Sequence, residues 1–256
     1  TKPGTKLVSA FFVMVVPNCE MGEHGTFIFG DSGLEQNPDA EKLANIATIG
    51  TLYPEVVQIA ASKDSGIKSI ADLRGKRVSI GDAGSGVEFN AKQILEGYGI
   101  TFDDIKKNNL SFKESAEGIQ NGTLDACFVT AGVPNSALQE LAFTAGLILI
   151  PVDDDAAEKI CSKYGYYTKT TIPGGTYKGT DNDTQALAIK ATLAVNSSLD
   201  ENIVYEMTKA LFENLNTLGD AHAKGKEVSA AAAVTGVSVP FHPGAIKYYK
   251  EIGLMK

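Results

Sequence analysis

Cysteine and histidine are scarce in this chain of 256 residues, which contains three of each. Cys19, Cys127 and Cys161 are too few and too widely spaced for a disulfide framework, and no C-x-x-C or histidine-rich spacing indicates a structural metal. Cys127 stands inside an apolar stretch, which predicts a small buried side chain rather than a nucleophile. The sequence therefore predicts no metal site, and its cysteine content does not fix the cellular compartment.

Positive charge is also sparse, with 23 lysines and arginines against 31 aspartates and glutamates and a formal net charge of -8. No run of basic residues is longer than two, and the basic positions are scattered among acids. This pattern argues against nucleic-acid binding and mainly favours solubility.

Hydrophobic runs long enough to cross a bilayer are missing as well. The first apolar run, Leu7 to Val16, has ten residues, far short of a membrane span. Two lysines before it and a cysteine after it superficially imitate a secretion signal, but Pro17-Asn18 lacks the small residues of a cleavage site. We interpret Ala10 to Val16 as a buried strand and expect a soluble mature protein.

Glycine is concentrated between residues 81 and 86. Arg77 to Gly81 has the alternation of a strand, Gly84-Ser-Gly86 follows, and Val87 to Glu96 has the pattern of a helix. Glycine allows a sharp turn and a close approach to a guest, and the unpaired N–H groups of a helix start attract anions. The alternative is that these glycines only close a tight turn between strand and helix.

This glycine cluster matches neither of two familiar phosphate-binding motifs. A P-loop ends in Gly-Lys-Ser/Thr, and a dinucleotide fold shows G-x-G-x-x-G with an acidic residue about 20 positions later. In addition, Asp82 and Glu88 would repel a polyphosphate. The sequence therefore predicts a small carboxylate as the guest and no cofactor.

Strand and helix patterns alternate along most of the chain, which predicts an α/β fold with a mostly parallel sheet, right-handed crossovers and helices on its faces. Two candidate strands, Ile46 to Leu52 and Val56 to Ala61, flank a predicted turn at Tyr53-Pro-Glu55. A later strand, Ala126 to Thr130, leads into a loop. Because ligands of such sheets lie at the carboxyl ends of the strands, we expect residues 84–86 and 130–132 to face one cleft.

Residues 164–184 break this rhythm with paired glycines, a proline and many small polar residues. We interpret the break as a crossing between two lobes. Residues 1–75 and 176–256 would form the first lobe, and residues 76–175 the second. A hinge between two lobes favours closure around a small ligand.

Several stretches carry a family resemblance. Ile67 to Val78, with the sequence I-K-S-I-A-D-L-R-G-K-R-V, has a pattern shared by many two-lobed binding proteins. Leu52-Tyr-Pro-Glu55, Ile172-Pro-Gly-Gly-Thr-Tyr177 and His242-Pro-Gly-Ala245 are more specific when they occur in this order. With these motifs, residues 43–256 resemble the TAXI solute receptors of TRAP-type bacterial transporters.

The resemblance implies a type II periplasmic-binding-protein-like fold, in which a hinge joins two α/β lobes and the ligand cleft lies between them. It implies a periplasmic or otherwise extracytoplasmic receptor for a small carboxylate solute, with glutamate, glutamine and five-carbon dicarboxylates as the first compounds to test. The implied partner is the membrane subunit of a TRAP transporter, and we expect the receptor to be a monomer.

Residues 1–42 depart from this family. The family opens with an I-G-T-G-G type loop, a Tyr-Tyr-Pro helix and a Gln-x-Asp-x-x-x-Tyr stretch, and none of these is present here. The glycine-rich pieces Gly22-Glu-His-Gly25 and Gly30-Asp-Ser-Gly33 do not match the family loops, so we assign no site residue to them.

The predicted site consists of two loops and one aromatic side chain. We expect the Ser85 hydroxyl and the N–H groups of Gly86 and Val87 to bind a solute carboxylate, while residues 130–132 contact it from the neighbouring loop. Tyr53 is a further candidate, because Pro54 would fix a turn that presents its ring, with core packing as the alternative. The full set of candidates is Tyr53, Gly84, Ser85, Gly86, Val87, Thr130, Ala131 and Gly132.

An enzyme or a regulator on the same two-lobed plan is the alternative class of function. The sequence shows no paired base and nucleophile and no metal triad, which argues against an enzyme, and it lacks a DNA-binding helical segment, which argues against a regulator. His242, between Phe241 and Pro243, is interpreted as structural. Asp153-Asp-Asp155 lacks calcium-loop spacing and is predicted to cap a helix. We therefore predict a binding protein with no catalytic residues.

Overall fold

The computed structural model describes residues 46–221, 223–237 and 239–256, and the backbone of short strands at 13–15, 19–21 and 27–29. The chain divides into two compact units. The terminal unit comprises Thr1–Val15, Leu43–Leu52 and Ala191–Lys256, and the central unit comprises Val16–Lys42 and Tyr53–Lys190. This division assigns 53–75 and 176–190 to the same unit as 76–175, whereas the sequence interpretation assigned them to the first lobe. The glycine-rich pieces at 22–25 and 30–33 lie outside the described residues.

The described residues form ten strands and eight α-helices. The strands are β1 (Val13–Val15), β2 (Cys19–Met21), β3 (Phe27–Phe29), β4 (Ile46–Ser62), β5 (Arg77–Ser79), β6 (Lys106–Asn108), β7 (Ala126–Ala131), β8 (Leu147–Leu149), β9 (Thr168–Ile172) and β10 (Thr184–Asn196). The helices are α1 (Gly86–Gly97), α2 (Phe112–Gln120), α3 (Ser136–Thr144), α4 (Asp154–Lys163), α5 (Glu201–Glu213), α6 (Leu215–Ala221), α7 (Ala230–Ala233) and α8 (Pro243–Glu251). Within this described part of the chain, no helix combines the length and apolarity that a membrane crossing requires.

The sheet of the central unit is mixed. β5 runs parallel to β6 and β7, but β4 is antiparallel to both β7 and β8, and β9 is antiparallel to β10. Within this unit the strand order is β4-β7-β5-β6, with β8 paired to β4 and β9 paired to β10. The predicted α/β class is confirmed, but the expectation of a mostly parallel sheet was wrong, because alternation of apolar residues identifies a strand without fixing the direction of its neighbour.

β4 corrects the predicted turn at Tyr53-Pro-Glu55. Ile46–Ser62 is one strand of 17 residues that continues through Pro54. Proline fits extended backbone, and its missing N–H is tolerated where the ladder does not need that donor. Pro54 is exposed and precedes Val56, the first residue of β4 that pairs with β7. Pro54 therefore does not make a turn that presents Tyr53.

Two apolar clusters lie on opposite faces of the central sheet. Phe128 of β7 belongs to the first cluster, together with residues of α1 and α4. Cys127 and Val129 point to the other face and belong to the second cluster, with residues of α2 and α3. Cys127 is fully buried, and this burial raises the pKa of its thiol to about 12. The prediction of a small buried side chain at Cys127 is therefore confirmed.

The terminal unit contains α5 and α8 in close contact. His242 is the N-cap of α8, where its Nδ1 accepts a hydrogen bond from Gly244 N–H at 3.1 Å. His242 N–H also donates to the carbonyl of Thr48 at 2.9 Å. The interpretation of His242 as a structural residue is consistent with both contacts. In the same unit β1 pairs antiparallel with β10, and the rest of the predicted strand at 10–16 lies outside the described residues.

Gly244→Ala is expected to lower the free energy of unfolding by about 2 kcal/mol. A Cβ at Gly244 would lie 2.3 Å from the Glu201 carbonyl oxygen and 2.6 Å from Tyr205 N, so the methyl group meets backbone rather than a movable side chain. Gly165→Ala is the control, since a Cβ there meets no atom within 4 Å. Thermal melting compares the two variants, and equal melting temperatures would contradict the close packing at Gly244.

Candidate functional site

The predicted anion site is built from the loop that joins β5 to α1. Gly81 and Gly84 have φ angles of +85° and +73°, a region that side chains other than glycine rarely adopt. A Cβ at Gly81 would lie 2.6 Å from the Cβ of Val87, so glycine is also required for the loop to lie against the start of the helix. Both glycines thus place the chain directly over the first turn of α1.

Ser85 is the N-cap of α1. Its Oγ accepts a hydrogen bond from Glu88 N–H at 3.3 Å, which satisfies one of the unpaired donors of the helix start. The N–H groups of Gly86 and Val87 have no hydrogen-bond partner among the described residues, and both residues are only half-buried. These two donors, with the Ser85 hydroxyl proton, are therefore available to an anion.

Gly84, predicted as a ligand-binding residue, uses its N–H within the loop. Its N–H donates to Glu88 Oε2 at 2.7 Å, so this donor is already used inside the protein. The other oxygen of Glu88 accepts from Asn109 Nδ2 at 3.1 Å and lies 3.8 Å from Lys107 Nζ. Glu88 thus stabilises the loop with its own carboxylate.

The second predicted loop begins at the end of β7. The Thr130 hydroxyl donates to Asn90 Oδ1 of α1 at 3.0 Å, which connects the end of this strand to the second turn of the helix. Ala131 points to the opposite face, and its carbonyl accepts from Gln58 Nε2 at 3.4 Å. Gly132 follows in the loop and is half-buried. The structure therefore connects Thr130 to α1 and directs the side chain of Ala131 away from it.

A buried polar network that the sequence interpretation missed continues from Asn90. Asn90 Nδ2 donates to the Tyr167 hydroxyl at 2.6 Å, and that hydroxyl donates to Gln93 Oε1 at 2.8 Å. Gln93 Nε2 then donates to the Tyr166 hydroxyl at 2.5 Å. Asn90, Gln93 and Tyr167 are 2%, 2% and 3% exposed, so these bonds replace water in the interior. The network fixes α1 against β7 and the segment after α4.

Glu55 is a second residue that the sequence interpretation missed. It is 9% exposed on β4, and burial raises the pKa of its carboxyl to about 7. Tyr53, two residues earlier, is half-buried. An acid within an apolar strand is the signal that could have identified Glu55. The predicted turn at Pro54 placed Glu55 outside the strands, so this signal was missed.

Two family models match the chain. The model described as NMT1-like family covers residues 32–253. A second, described as Phosphate acetyl/butaryl transferase, covers residues 1–60. The segment that departs from the receptor pattern is thus similar to a different family.

Two curated relatives match over a short stretch. The phosphate acetyltransferase of Acetivibrio thermocellus is 68% identical over 47 residues, which is 18% of this chain and 14% of the enzyme. The phosphate acetyltransferase of Thermoanaerobacterium thermosaccharolyticum is 57% identical over 47 residues, again 14% of the enzyme. The match therefore spans far less than two thirds of either enzyme.

Similar solved structures include periplasmic binding proteins. The periplasmic aliphatic sulphonate binding protein SsuA from Escherichia coli is 16% identical with a TM-score of 0.39, covering 72% of this chain and 48% of SsuA. The alkanesulfonate-binding protein SsuA from Xanthomonas axonopodis pv. citri, bound to MOPS, is 14% identical with a TM-score of 0.43. The match covers 84% of this chain and 57% of that protein. An ancestral arginine-binding protein bound to arginine is 17% identical with a TM-score of 0.41. The match covers 78% of this chain and 68% of that protein.

Proposed function

The chain belongs to the NMT1-like family, since that family model matches residues 32–253, and we propose that it is an extracytoplasmic solute receptor. In this proposal the start of α1 binds the carboxylate of a small solute. The receptor then delivers the solute to the membrane subunit of a TRAP-type transporter, as the resemblance to TAXI receptors implies. Glutamate, glutamine and five-carbon dicarboxylates are the first solutes to test.

The observation that carries the proposal is the pair of N–H groups of Gly86 and Val87, two half-buried residues, beside the Ser85 hydroxyl; neither N–H has a hydrogen-bond partner among the described residues. α1 is 12 residues long, so its dipole adds a favourable field for negative charge at this end. Each charge-assisted hydrogen bond to a carboxylate contributes roughly 1.5 to 3 kcal/mol. Three such donors lie within one helical turn, at Ser85, Gly86 and Val87, a number that one carboxylate group can accept.

Binding without turnover is favoured over catalysis by the state of two potentially reactive side chains. The Cys127 thiol is fully buried, and its raised pKa holds it in the unreactive protonated form. His242 caps α8 through its Nδ1, which accepts a hydrogen bond from Gly244 N–H, and the residue is only 1% exposed, so a solute does not reach its ring. A screen of amino and dicarboxylic acids by thermal melting, combined with a search for product, distinguishes the classes. A melting shift without product supports a receptor, and product formation would contradict it.

Ser85→Ala is expected to weaken binding of the preferred acid by about tenfold or more, because one charge-assisted donor is lost. Calorimetric titration measures this change. Ser111→Ala is the matched control. Ser111 Oγ is the N-cap of α2 and accepts from Glu114 N–H at 3.3 Å, so its loss removes an equivalent cap at another helix. Equal affinities in both variants would contradict a binding role for Ser85.

A further inference from the structure

Glu55 is an acid of low exposure that has no polar partner among the described residues. The residue is 9% exposed, and no hydrogen bond or ion pair joins its carboxyl to any of them. Most other acids of the central unit that have low exposure are paired, as Asp125 is with Arg77 at 2.6 Å. Burying an unpaired carboxyl is costly, and an apolar residue would fill the position without that cost. Such a group in a folded protein is a candidate for a role toward a ligand.

The register of β4 gives the position of Glu55 relative to the anion site. Val57 lies opposite Thr130 in the antiparallel pair, and Glu55, two residues earlier, points to the same face as Val57. Glu55 and Thr130 are therefore diagonal neighbours, with their Cβ atoms about 7 Å apart. Thr130 is the residue whose hydroxyl bonds Asn90 of α1 at 3.0 Å.

Glu55 and the start of α1 lie at the same end of this face. β5 leads into the loop before α1, and β5 is parallel to β7, so the helix begins at the carboxyl end of both strands. The paired segment of β4 and β7 ends with Val56 opposite Ala131. Glu55 therefore lies one residue past this last pair, toward the carboxyl end of β7. Two groups of opposite polarity therefore lie at one edge of the central sheet. The N–H groups of Gly86 and Val87 carry partial positive charge, and the carboxylate of Glu55 is negative.

We propose that Glu55 is a specificity-determining residue that pairs with an ammonium group of the solute, so that this site selects zwitterionic amino acids over acids that lack the amine. The solute carboxylate would lie at the start of α1 and its ammonium group at Glu55. This inference rests on the proposed function, because it requires the carboxylate to be bound at α1. It deepens that function by naming the chemical class of the solute.

Calorimetric titration with matched acid pairs tests the role of Glu55. The pairs are glutamate with glutarate, glutamine with glutaramate, and alanine with propionate, which differ within each pair in the amino group. We expect the wild-type protein to bind one amino acid at least tenfold more tightly than its partner. Glu55→Gln should weaken the binding of that amino acid at least tenfold. Binding of the partner acid should stay unchanged or become slightly tighter.

Glu117→Gln is the control for loss of one negative charge, since Glu117 is exposed on α2. Its affinities should equal those of the wild type. Equal affinities of the wild type for both members of the bound pair, or an equal loss for both members in Glu55→Gln, would overturn the role of Glu55 while the receptor function stands. If no acid of either kind binds the wild type, the proposed function fails, and the role of Glu55 fails with it.

Discussion

Replacing Glu55 by glutamine is expected to stabilise the protein by about 3 kcal/mol at pH 8 and to leave its stability at pH 4 unchanged. Burial raises the pKa of this carboxyl from 4.5 to about 7. At pH 4 the group is mostly protonated in both the folded and the unfolded chain, so it contributes little difference. Between the two pKa values only the unfolded chain ionises, and stability falls as the pH rises. Above pH 7 the loss of stability is complete, and it amounts to roughly 1.4 kcal/mol for each unit by which folding raises the pKa of Glu55.

Thermal melting of the solute-free protein across this pH range measures the effect. A gain of about 3 kcal/mol corresponds to roughly 6–12 °C for a chain of this size. Glu117→Gln, which removes an exposed carboxylate, should stay within about 0.5 kcal/mol of the wild type at both pH values. A Glu55→Gln variant that is no more stable than the wild type at pH 8 would show that this carboxyl is not an unpaired buried acid.

Asn90→Ala is expected to lower the free energy of unfolding by about 3 kcal/mol. The side chain of Asn90 accepts from Thr130 Oγ1 and donates to the Tyr167 hydroxyl, and all three residues are buried. Truncation leaves two buried polar groups without these bonds, at a cost of roughly 1–3 kcal/mol each. Asn108→Ala is the control, because Asn108 is half-buried and its side chain bonds, among the described residues, only the nearby carbonyl of Lys106, at 3.0 Å.

A double variant separates the polar contribution of Asn90 from its packing. Thr130→Val removes the hydroxyl that Asn90→Ala would leave without a partner. The double variant should therefore be more stable than the sum of the two single losses predicts, by about 1 kcal/mol. Strict additivity, or a loss in Asn90→Ala no larger than in the Asn108→Ala control, would show that the Thr130–Asn90 bond does not hold α1 in place.

The strand, turn and helix at the anion site could be predicted from local sequence, because each depends on residues close in the chain. Glycine at positions 81 and 84 provides the two positive φ angles, and Ser85 caps the helix that follows. Ser69 and Asp72 likewise cap a short 3-10 helix, with Ser69 N–H donating to Asp72 Oδ2 at 2.9 Å. These signals need no knowledge of distant contacts.

Features that depend on distant contacts could not be predicted in the same way. The antiparallel pairing of β4 with β7 joins residues more than sixty positions apart, and no local pattern encodes it. Asn90 and Gln93 are polar residues on a helix, which usually indicates an exposed face, but their partners at Tyr166 and Tyr167 allow them to be buried. Proline at position 54 is compatible with both a turn and an extended strand, and only the partner strands decide between them.

Amide chemical shifts of the nitrogen-15-labelled protein, followed during titration with the acid that the melting screen identifies, test the central claim most directly. If the start of α1 binds the solute carboxylate, the amides of Gly86 and Val87 should show the largest shifts, with the same midpoint as calorimetry. The Gly84 amide, which donates to Glu88, should move much less. A bound acid that leaves the Gly86 and Val87 amides unchanged would contradict the account.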